Sequence, residues 1–337
     1  MEIRNLSMVL VSAALLGACG GSSSGPGTGT LNLELTDSPV DSAEEVVVIF
    51  TGVEVKPADG NVITFDYCDP AEDVSLCKEI DLLTLQDGVT TDLLDNEELP
   101  AGAYEWVRLK VYTDPTAMDA SYIVIINEET DNPETHNLFI PSGDQTGLKL
   151  VSGFTIAQGS TKRLVIDFVL RKSVLAPRGL EPYYLLKPTL RLHDQQDTAT
   201  IVGDVDLDAL RTEQGVDPCI GGFYLFEGAG ATPDDQDGDA IDGADPIVYD
   251  SLEVDPVVGG TVASYTIPFV DAGDAGSASY TVAFTCNFDV DEFPDASEYD
   301  VNATTGDPGF ETMNWTTSDV TVVAGATETV SFLTASP

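Results

Sequence analysis

The heptapeptide Trp-Val-Arg-Leu-Lys-Val-Tyr at residues 106–112 alternates apolar and basic side chains. Successive side chains of a β-strand point to opposite faces. In this segment Val107, Leu109 and Val111 share one face, and the two basic residues share the other. A period of two is typical of a strand that is buried on one side only. The segment therefore predicts a sheet with a core-facing side and a solvent-facing side.

Similar apolar or β-branched runs extend along the chain, separated by Asp-Gly, Pro-Ala-Gly and Asn-Pro turns. The predicted strands cover residues 31–36, 45–55, 62–66, 104–113, 121–126, 138–141, 148–152, 163–170, 183–192, 199–207, 222–226, 261–269, 279–288, 319–323 and 327–333. A helical turn or two is predicted within 82–94, and a closing hairpin within 320–332. Short strands with such turns indicate an all-β fold built from antiparallel β-sandwiches.

The charge of the chain is extreme and uneven. The chain of 337 residues has 58 acidic and 14 basic residues, which gives a net charge of −44. From Thr198 onward there are 27 acids and one base, Arg211, whereas eight bases lie within 149–191. This break predicts two domains, at 31–194 and 199–335. Because phosphate backbones are bound by clustered Lys and Arg, the charge argues against nucleic acid as a partner.

The N-terminus predicts export and a lipid anchor. An apolar run at 8–16 is followed by Gly17, Ala18 and Cys19. The run is too short to span a bilayer and suits the apolar region of a signal peptide. It resembles the bacterial lipoprotein signal, in which the cysteine carries the lipid; the alternative is an ordinary signal peptide that contains a cysteine. Residues 1–18 are thus the predicted signal peptide. Residues 19–30 are the lipidated cysteine with a flexible Gly/Ser tether.

This resemblance implies a cell-envelope lipoprotein attached to the membrane through Cys19. The residue after the cysteine is Gly20 rather than aspartate. In a host with two membranes, that residue favours the outer membrane over retention at the inner one.

Four further cysteines, Cys68, Cys77, Cys219 and Cys286, allow three pairings. The domain boundary near residue 198 selects Cys68–Cys77 and Cys219–Cys286, with one disulfide in each domain. An exported chain lies where disulfides persist. Zinc is the competing interpretation, but the spacings lack the paired pattern of zinc ligands.

Three segments resemble a bacterial lipoprotein family described as domain of unknown function 4382. They are the opening strand with Thr-Asp-Ser-Pro at 31–39, the Pro-Ala-Gly-x-Tyr turn and strand at 99–111, and the Lys-Pro strand at 185–192. The resemblance covers about 30–194 and implies β structure without a reaction. The distal half resembles accessory sandwiches of the prealbumin-like or carboxypeptidase-regulatory type, on the segments 202–205, 276–284 and 322–327.

The acidic segment 234–245 is the candidate metal site. Its expected ligands are the carboxylates of Asp235, Asp237, Asp239, Asp242 and Asp245. Calcium accepts six to eight oxygen ligands and tolerates irregular loops. The segment resembles extracellular calcium loops, but it has Ala240 where glycine is usual and it lacks the EF-hand register. A solvated acidic loop in an acidic protein is the alternative.

No catalytic constellation emerges, and the sequence predicts a non-catalytic binding or scaffold module. The two histidines, His136 and His193, are expected at the surface, the first in a turn-rich loop. The basic band at 149–191 is a candidate patch for an anionic polysaccharide, and an envelope protein is the other expected partner. Two alternatives stay open: a surface enzyme that acts on glycans or peptides, and a structural envelope or adhesin component.

Overall fold

The computed structural model describes residues 27–38, 43–86, 88–127, 130, 132–140, 147–169, 174–175, 183–187, 189–233, 244, 246–252, 254, 260–288 and 314–333. Most of these residues lie in strands, and the prediction of an all-β fold is confirmed. Cys19 lies outside the described residues, as do Asp235, Asp237, Asp239, Asp242 and Asp245 of the predicted calcium site.

Within the described residues, the proximal half contains the first fourteen strands. They are β1 (Thr28–Ser38), β2 (Glu45–Pro57), β3 (Ile63–Asp66), β4 (Lys78–Asp81), β5 (Thr91–Pro100), β6 (Gly102–Val111), β7 (Tyr122–Asn127), β8 (Asn132–Phe139), β9 (Leu148–Leu150), β10 (Phe154–Ile156), β11 (Thr161–Val169), β12 (Val174–Leu175), β13 (Tyr184–Leu186) and β14 (Leu190–Asp194). Two short 3₁₀ helices, Val74–Leu76 and Leu82–Leu85, lie before β4 and after it.

These strands form two sheets. One has the order β14-β11-β1-β5, and the other has ten strands with the path β10-β6-β2-β7-β8-β13-β12. In the larger sheet β3 and β4 also pair with β2, and β9 pairs with β6. The sheets pack face to face, because Leu33 of the smaller sheet and Val107 of the larger one belong to the same buried cluster. Val107, Leu109 and Val111 are all buried, as the alternating heptapeptide predicts.

The described part of the distal half contains seven strands and one helix. They are β15 (Thr198–Asp206), α1 (Leu207–Gln214), β16 (Gly221–Glu227), β17 (Val248–Leu252), β18 (Val262–Asp271), β19 (Ser277–Thr285), β20 (Thr316–Val323) and β21 (Thr327–Thr329). Two sheets, β18-β15-β21 and β17-β16-β19-β20, enclose a second core that includes Ile201, Ile267 and Phe284. The two cores draw on residues 31–192 and 199–332. The exact bounds of the two domains stay a prediction.

Most strand pairings are antiparallel, and three are parallel: β1 with β11, β8 with β13, and β15 with β21. The prediction of a closing hairpin is wrong. The turn at 324–326 is present, but β20 pairs with β19, whereas β21 pairs with β15 of the opposite sheet. Val322 and Val330 can thereby enter the same core from its two sides. Alternation predicts a strand but not its partner.

The predicted helical segment 82–94 is helical only at Leu82–Leu85, since β5 already begins at Thr91. Conversely, α1 was not predicted. The Asp206 carboxylate caps its start by accepting hydrogen bonds from the amides of Asp208 and Ala209. Gly215 follows its last turn with a φ of 71°, a conformation that glycine adopts readily.

Contacts between the halves lie on the outward face of the smaller proximal sheet. Arg191 Nη1 donates a hydrogen bond of 2.9 Å to the carbonyl of Ile247. The ring of His193 stacks on Phe269 with 6.3 Å between the centroids. Among the described residues, no helix has both the length and the apolar character needed to cross a bilayer.

The predicted disulfides, Cys68–Cys77 and Cys219–Cys286, are confirmed. The first closes a loop with a sequence separation of 9 residues and the second a loop of 67. In the chain-entropy model, a longer closed loop restricts the unfolded chain more and stabilises the fold more. Each bridge joins two residues of the same half of the chain, so each acts on one half.

We expect the two disulfides to contribute unequally to stability. Replacing Cys219 and Cys286 together by alanine lowers the free energy of unfolding of the distal half by about 4.5 kcal/mol. The corresponding Cys68→Ala, Cys77→Ala variant loses roughly 2.5–3 kcal/mol in the proximal half. Denaturant unfolding of both variants, with the oxidised chain as control, measures the difference. Equal losses would contradict the loop-length explanation.

Candidate functional site

The outward face of the larger proximal sheet gathers basic side chains around a tryptophan. We call it the Trp106 face. It consists of Lys56 of β2, Trp106, Arg108 and Lys110 of β6, and Lys149 of β9, together with the carboxylates of Glu54, Glu105 and Asp66. Four basic residues therefore stand beside three acidic ones, whereas the whole chain has 58 acids and 14 bases.

The strand register explains why these side chains meet. Across β2 and β6, Lys56 is paired with Trp106, and Glu54 with Arg108. Across β6 and β9, Arg108 is paired with Lys149. Directly paired residues on one face have Cβ atoms about 4.5–5.5 Å apart. Segments that are distant in the sequence are thus brought into side-chain contact.

Trp106 lies under two cations. The Arg108 guanidinium carbon is 4.7 Å from the centroid of the indole ring, and Lys149 Nζ is 4.6 Å from it. A cation over an aromatic face is attracted by the ring quadrupole, which is worth about 0.5–1 kcal/mol at exposed sites. The indole points away from the core, yet only 8% of Trp106 is exposed. The stems of its basic neighbours help to cover it.

Carboxylates hold the other ends of the face. Arg108 Nη1 donates a hydrogen bond of 2.9 Å to Glu54 Oε2. Lys110 Nζ reaches Asp66 at 2.5 Å by crossing Gly52, which offers no side chain in between. The Lys110–Asp66 pair is exposed and contributes only about 0–1 kcal/mol, because water competes for both partners. The Arg108–Glu54 pair is half-buried.

Glycine is required at position 52. A Cβ atom there would lie 2.4 Å from the carbonyl oxygen of Phe65. Any larger residue would therefore push β3 away from β2, as well as block the path of Lys110 to Asp66. Gly52 thus serves both the close approach of the strands and the ion pair that crosses them.

Lys149 differs from the other basic residues of the face. Its side chain is exposed, and its only described interaction is with the Trp106 ring. By comparison, Lys56 Nζ donates to the carbonyls of Pro57 and Gly60 and lies 3.9 Å from Glu105. Within the described residues, no carboxylate lies within ion-pair distance of Lys149. Its charge is the one most available to an incoming anion.

The predicted basic band does not form one patch. Lys149 lies on the outward face of the larger sheet, whereas Arg163 and Arg191 lie on the smaller sheet, at the opposite side of the sandwich. Lys162 forms an ion pair with Asp194. Three members of the band, Arg171, Lys172 and Arg178, lie outside the described residues. Proximity in sequence was a poor guide, because β9 and β11 belong to different sheets.

Lys78 also lies away from the Trp106 face. Its ammonium sits 4.6 Å from the centroid of the Tyr67 ring and donates to the carbonyl of Leu93. Burial lowers the pKa of Lys78, with the charge of Asp92 acting in the opposite direction. Burial, reinforced by the charge of Glu97, raises the pKa of Tyr67. The Lys78 ammonium therefore contributes to packing beside the Cys68–Cys77 loop.

The histidines are less exposed than the sequence predicts. His136 lies within β8 rather than in a loop, and its ring packs against Tyr184 with 5.3 Å between the centroids. His193 lies in β14, with Nε2 3.9 Å from Asp167 Oδ2. The ring of Trp315 packs edge-on against Tyr224, with 4.9 Å between the centroids. Each of these rings therefore contributes to packing.

The described residues that flank the acidic segment are held in place. Pro233 and Ala244, which stand on either side of 234–243 in the sequence, form an isolated bridge. Asp319 Oδ1 accepts hydrogen bonds of 2.8 Å from the Gly230 amide and from Thr281 Oγ1. These donors lower the pKa of Asp319 below its ordinary value. In the described part of the chain, no group of three or more His, Cys, Asp or Glu residues is arranged to hold a metal ion.

Residues 28–188 match the family model described as "Domain of unknown function (DUF4382)". The proximal half contains a DUF4382 domain. The match covers β1 to β13, and with them every residue of the Trp106 face, and it ends before β14. The Trp106 face is thus a surface of the DUF4382 domain. No curated protein matches the chain.

Solved structures add little to this domain assignment. One match is the major pilin from Streptococcus pyogenes, which is 15% identical and covers 77% of this chain and 82% of the pilin. Its TM-score is 0.14. At that value the likeness carries no argument about fold or function.

We expect the Asp319 network to weaken in acid. Since the folded pKa of Asp319 is depressed, its stabilising effect is present above the ordinary value and is lost as the pH falls through the folded pKa. Protection of the Gly230 amide against hydrogen exchange should fall as the pH drops below about 4. In Asp319→Asn this pH dependence should disappear.

Asp114→Asn serves as the matched control for that measurement. Asp114 accepts hydrogen bonds from the Thr116 and Ala117 amides, and these lower the pKa of its carboxyl group in the other half of the chain. Its replacement should leave the protection of Gly230 unchanged. Acid-insensitive protection of Gly230 in the unmodified chain would show that the carboxylate does not hold the turn.

Proposed function

We propose that this protein is a membrane-anchored lipoprotein of the cell envelope and that it acts as a non-catalytic binding or scaffold module. The anchor is a lipid on Cys19, and the Gly/Ser tether separates it from the folded body. The tether is shorter than the predicted 19–30, because its last three residues already belong to β1, which begins at Thr28. In a host with two membranes, the protein resides at the outer membrane. Its partners outside the membrane are a polysaccharide or an envelope protein.

The observation that carries the binding role is the Trp106 face. A chain with a net charge of −44 repels other anions and resists nonspecific association. Within that background, four basic residues and a tryptophan converge on one exposed sheet face. Side chains on a rigid sheet keep fixed positions relative to one another, which favours recognition of a partner by geometry. The face suits binding, and no nucleophile or general base is needed to explain it.

The distal half is proposed to be an accessory sandwich of the prealbumin-like or carboxypeptidase-regulatory type, stiffened by calcium. The proposed ligands are Asp235, Asp237, Asp239, Asp242 and Asp245. The closed ends of the segment, with the Pro233–Ala244 bridge and the Asp319 network, support this proposal. A loop with tethered ends loses less conformational entropy when an ion orders it.

The lipid anchor predicts a specific labelling pattern. In bacteria fed with labelled palmitate, the unmodified chain should take up label and fractionate with membranes. Cys19→Ser should lose both properties, because no other residue of the leader can form the thioether. The Cys68→Ser, Cys77→Ser variant, which keeps Cys19, is the control and should stay labelled. An unlabelled wild-type chain would refute the anchor.

Calcium binding predicts a rise in the stability of the distal half. At a calcium concentration ten times the dissociation constant, binding should add about 1.4 kcal/mol to the free energy of unfolding. The Asp235→Asn, Asp237→Asn, Asp239→Asn variant should show no such gain. Asp59→Asn, an exposed carboxylate of the proximal half, should behave like the unmodified chain. Titration calorimetry without heat up to millimolar calcium would rule the site out.

A further inference from the structure

We infer that the Trp106 face binds an anionic polysaccharide. The inference rests on the proposed function, which supplies a binding module but not the nature of its ligand. The ligand has two required chemical features: acidic groups that repeat along a chain, and sugar rings whose C–H faces can pack on an aromatic ring. The face offers a counterpart to each feature.

The charge of the face suits an acidic group. Lys149 is exposed, and its ammonium has no carboxylate partner among the described residues. The Arg108 guanidinium has five N–H donors, of which Nη1 donates to Glu54 and Nε is buried without a partner. Lys149 can therefore bind a further acidic group without giving up an ion pair, and Arg108 can add its remaining Nη donors.

The large negative charge of the chain does not cancel this local attraction. Charges farther away than about 8 Å are largely screened at physiological ionic strength. Among the described residues, the carboxylates of the face are those of Glu54, Asp66 and Glu105, and each already contacts one of its cations. An anion that reaches the sheet therefore meets Lys149 and Arg108 at short range before it meets an unpaired carboxylate.

The tryptophan explains why a sugar suits the face better than another anion. Arg108 and Lys149 lie on the indole, so the ring has only 8% exposure. When an acidic group draws Lys149 toward itself, the ammonium moves off the ring and uncovers it. The C–H face of the attached sugar can then take its place, because an aromatic side chain offers a large apolar surface. Charge recognition and ring stacking are thus coupled at one residue.

The layout of the cations favours a polymer. Lys149, Arg108 and Lys56 lie on three adjacent strands, β9, β6 and β2. Neighbouring strands are about 4.8 Å apart, so the row spans roughly 10 Å across the sheet. A polysaccharide with acidic groups at regular intervals can contact several of these cations at once. Such multivalent contact raises the overall affinity without requiring a deep pocket.

Tryptophan fluorescence provides a direct test, because the chain contains only two tryptophans. The full-length lipoprotein in detergent, carrying Trp315→Phe, reports on Trp106 alone. Addition of polygalacturonate should change the fluorescence in a saturable manner, and raised salt should weaken binding. Lys149→Gln should weaken binding about tenfold, which corresponds to the loss of one charge-assisted hydrogen bond. Arg163→Gln, an exposed cation on the opposite sheet, should leave binding unchanged.

Three further ligands separate charge from sugar recognition. Heparin, in which sulfate is the main acidic group, should also bind; if it alone binds, the acidic group is sulfate and the polysaccharide assignment stands. Neutral dextran should give no response. An equal response to polyglutamate would overturn the inference, since the face would then recognise charge without sugar. Equal affinity of Lys149→Gln and the unmodified chain would overturn it as well.

The outcome is independent of the lipid anchor. If the Trp106 fluorescence responds to polygalacturonate but palmitate labelling fails, the proposal of a lipid anchor is contradicted and the assignment of the ligand is supported. If labelling succeeds but none of the acidic polysaccharides alters the fluorescence, the ligand assignment falls and the lipid anchor stands.

Discussion

The alternation of side chains across a β-strand is the constraint on which the proximal half depends. On β6 this geometry sends Val107, Leu109 and Val111 into the core and turns Trp106 and Arg108 outward. The apolar set joins the two sheets into a sandwich, while the outward set forms the candidate site. A slip of one residue in the pairing of β6 would exchange the two sets. The stability of the core and the composition of the Trp106 face are therefore fixed by the same register.

The strand pattern shows where sequence reasoning succeeds and where it stops. The apolar run at 199–207 was correctly predicted as a strand, because alternation is a local signal. The partner of a strand is a nonlocal property, as Val322 and Val330 illustrate: they lie eight residues apart and enter one core from opposite sheets. Nothing within a single run distinguishes such a crossing from a hairpin. The parallel pairing of β1 with β11 could not be predicted either, because the partner of a strand is a nonlocal property.

The candidate site has the same division between local and nonlocal information. That Arg108 and Lys110 share an outward face follows from their spacing in the sequence. The other contacts depend on the strands that pair with β6 in the fold. Pairing with β9 places Lys149 beside Arg108, and pairing with β2 selects Glu54, rather than an acid nearer in sequence, as the partner of Arg108. The role of Gly52 could not be predicted from the sequence either, because this residue acts by having no side chain between Lys110 and Asp66. By contrast, the disulfides could be paired in advance, because the charge break near residue 198 had already divided the cysteines.

The two halves of the chain use charge in opposite ways. The distal half has a single basic residue, Arg211, and that residue is engaged within its own half by Asp208 and Asp217. Described carboxylates of this half accept hydrogen bonds from hydroxyl groups and backbone amides, as Asp204 does from Ser264 and Asp319 from Gly230, which is why acid and calcium are the conditions expected to act on it. The proximal half keeps its cations but distributes them unequally, so that Lys78 supports packing while Lys149 stays exposed. A lysine whose ammonium lies over an aromatic ring and has no carboxylate partner among the described residues can respond to an anion by movement. This coupling distinguishes the Trp106 face from an ordinary solvated surface.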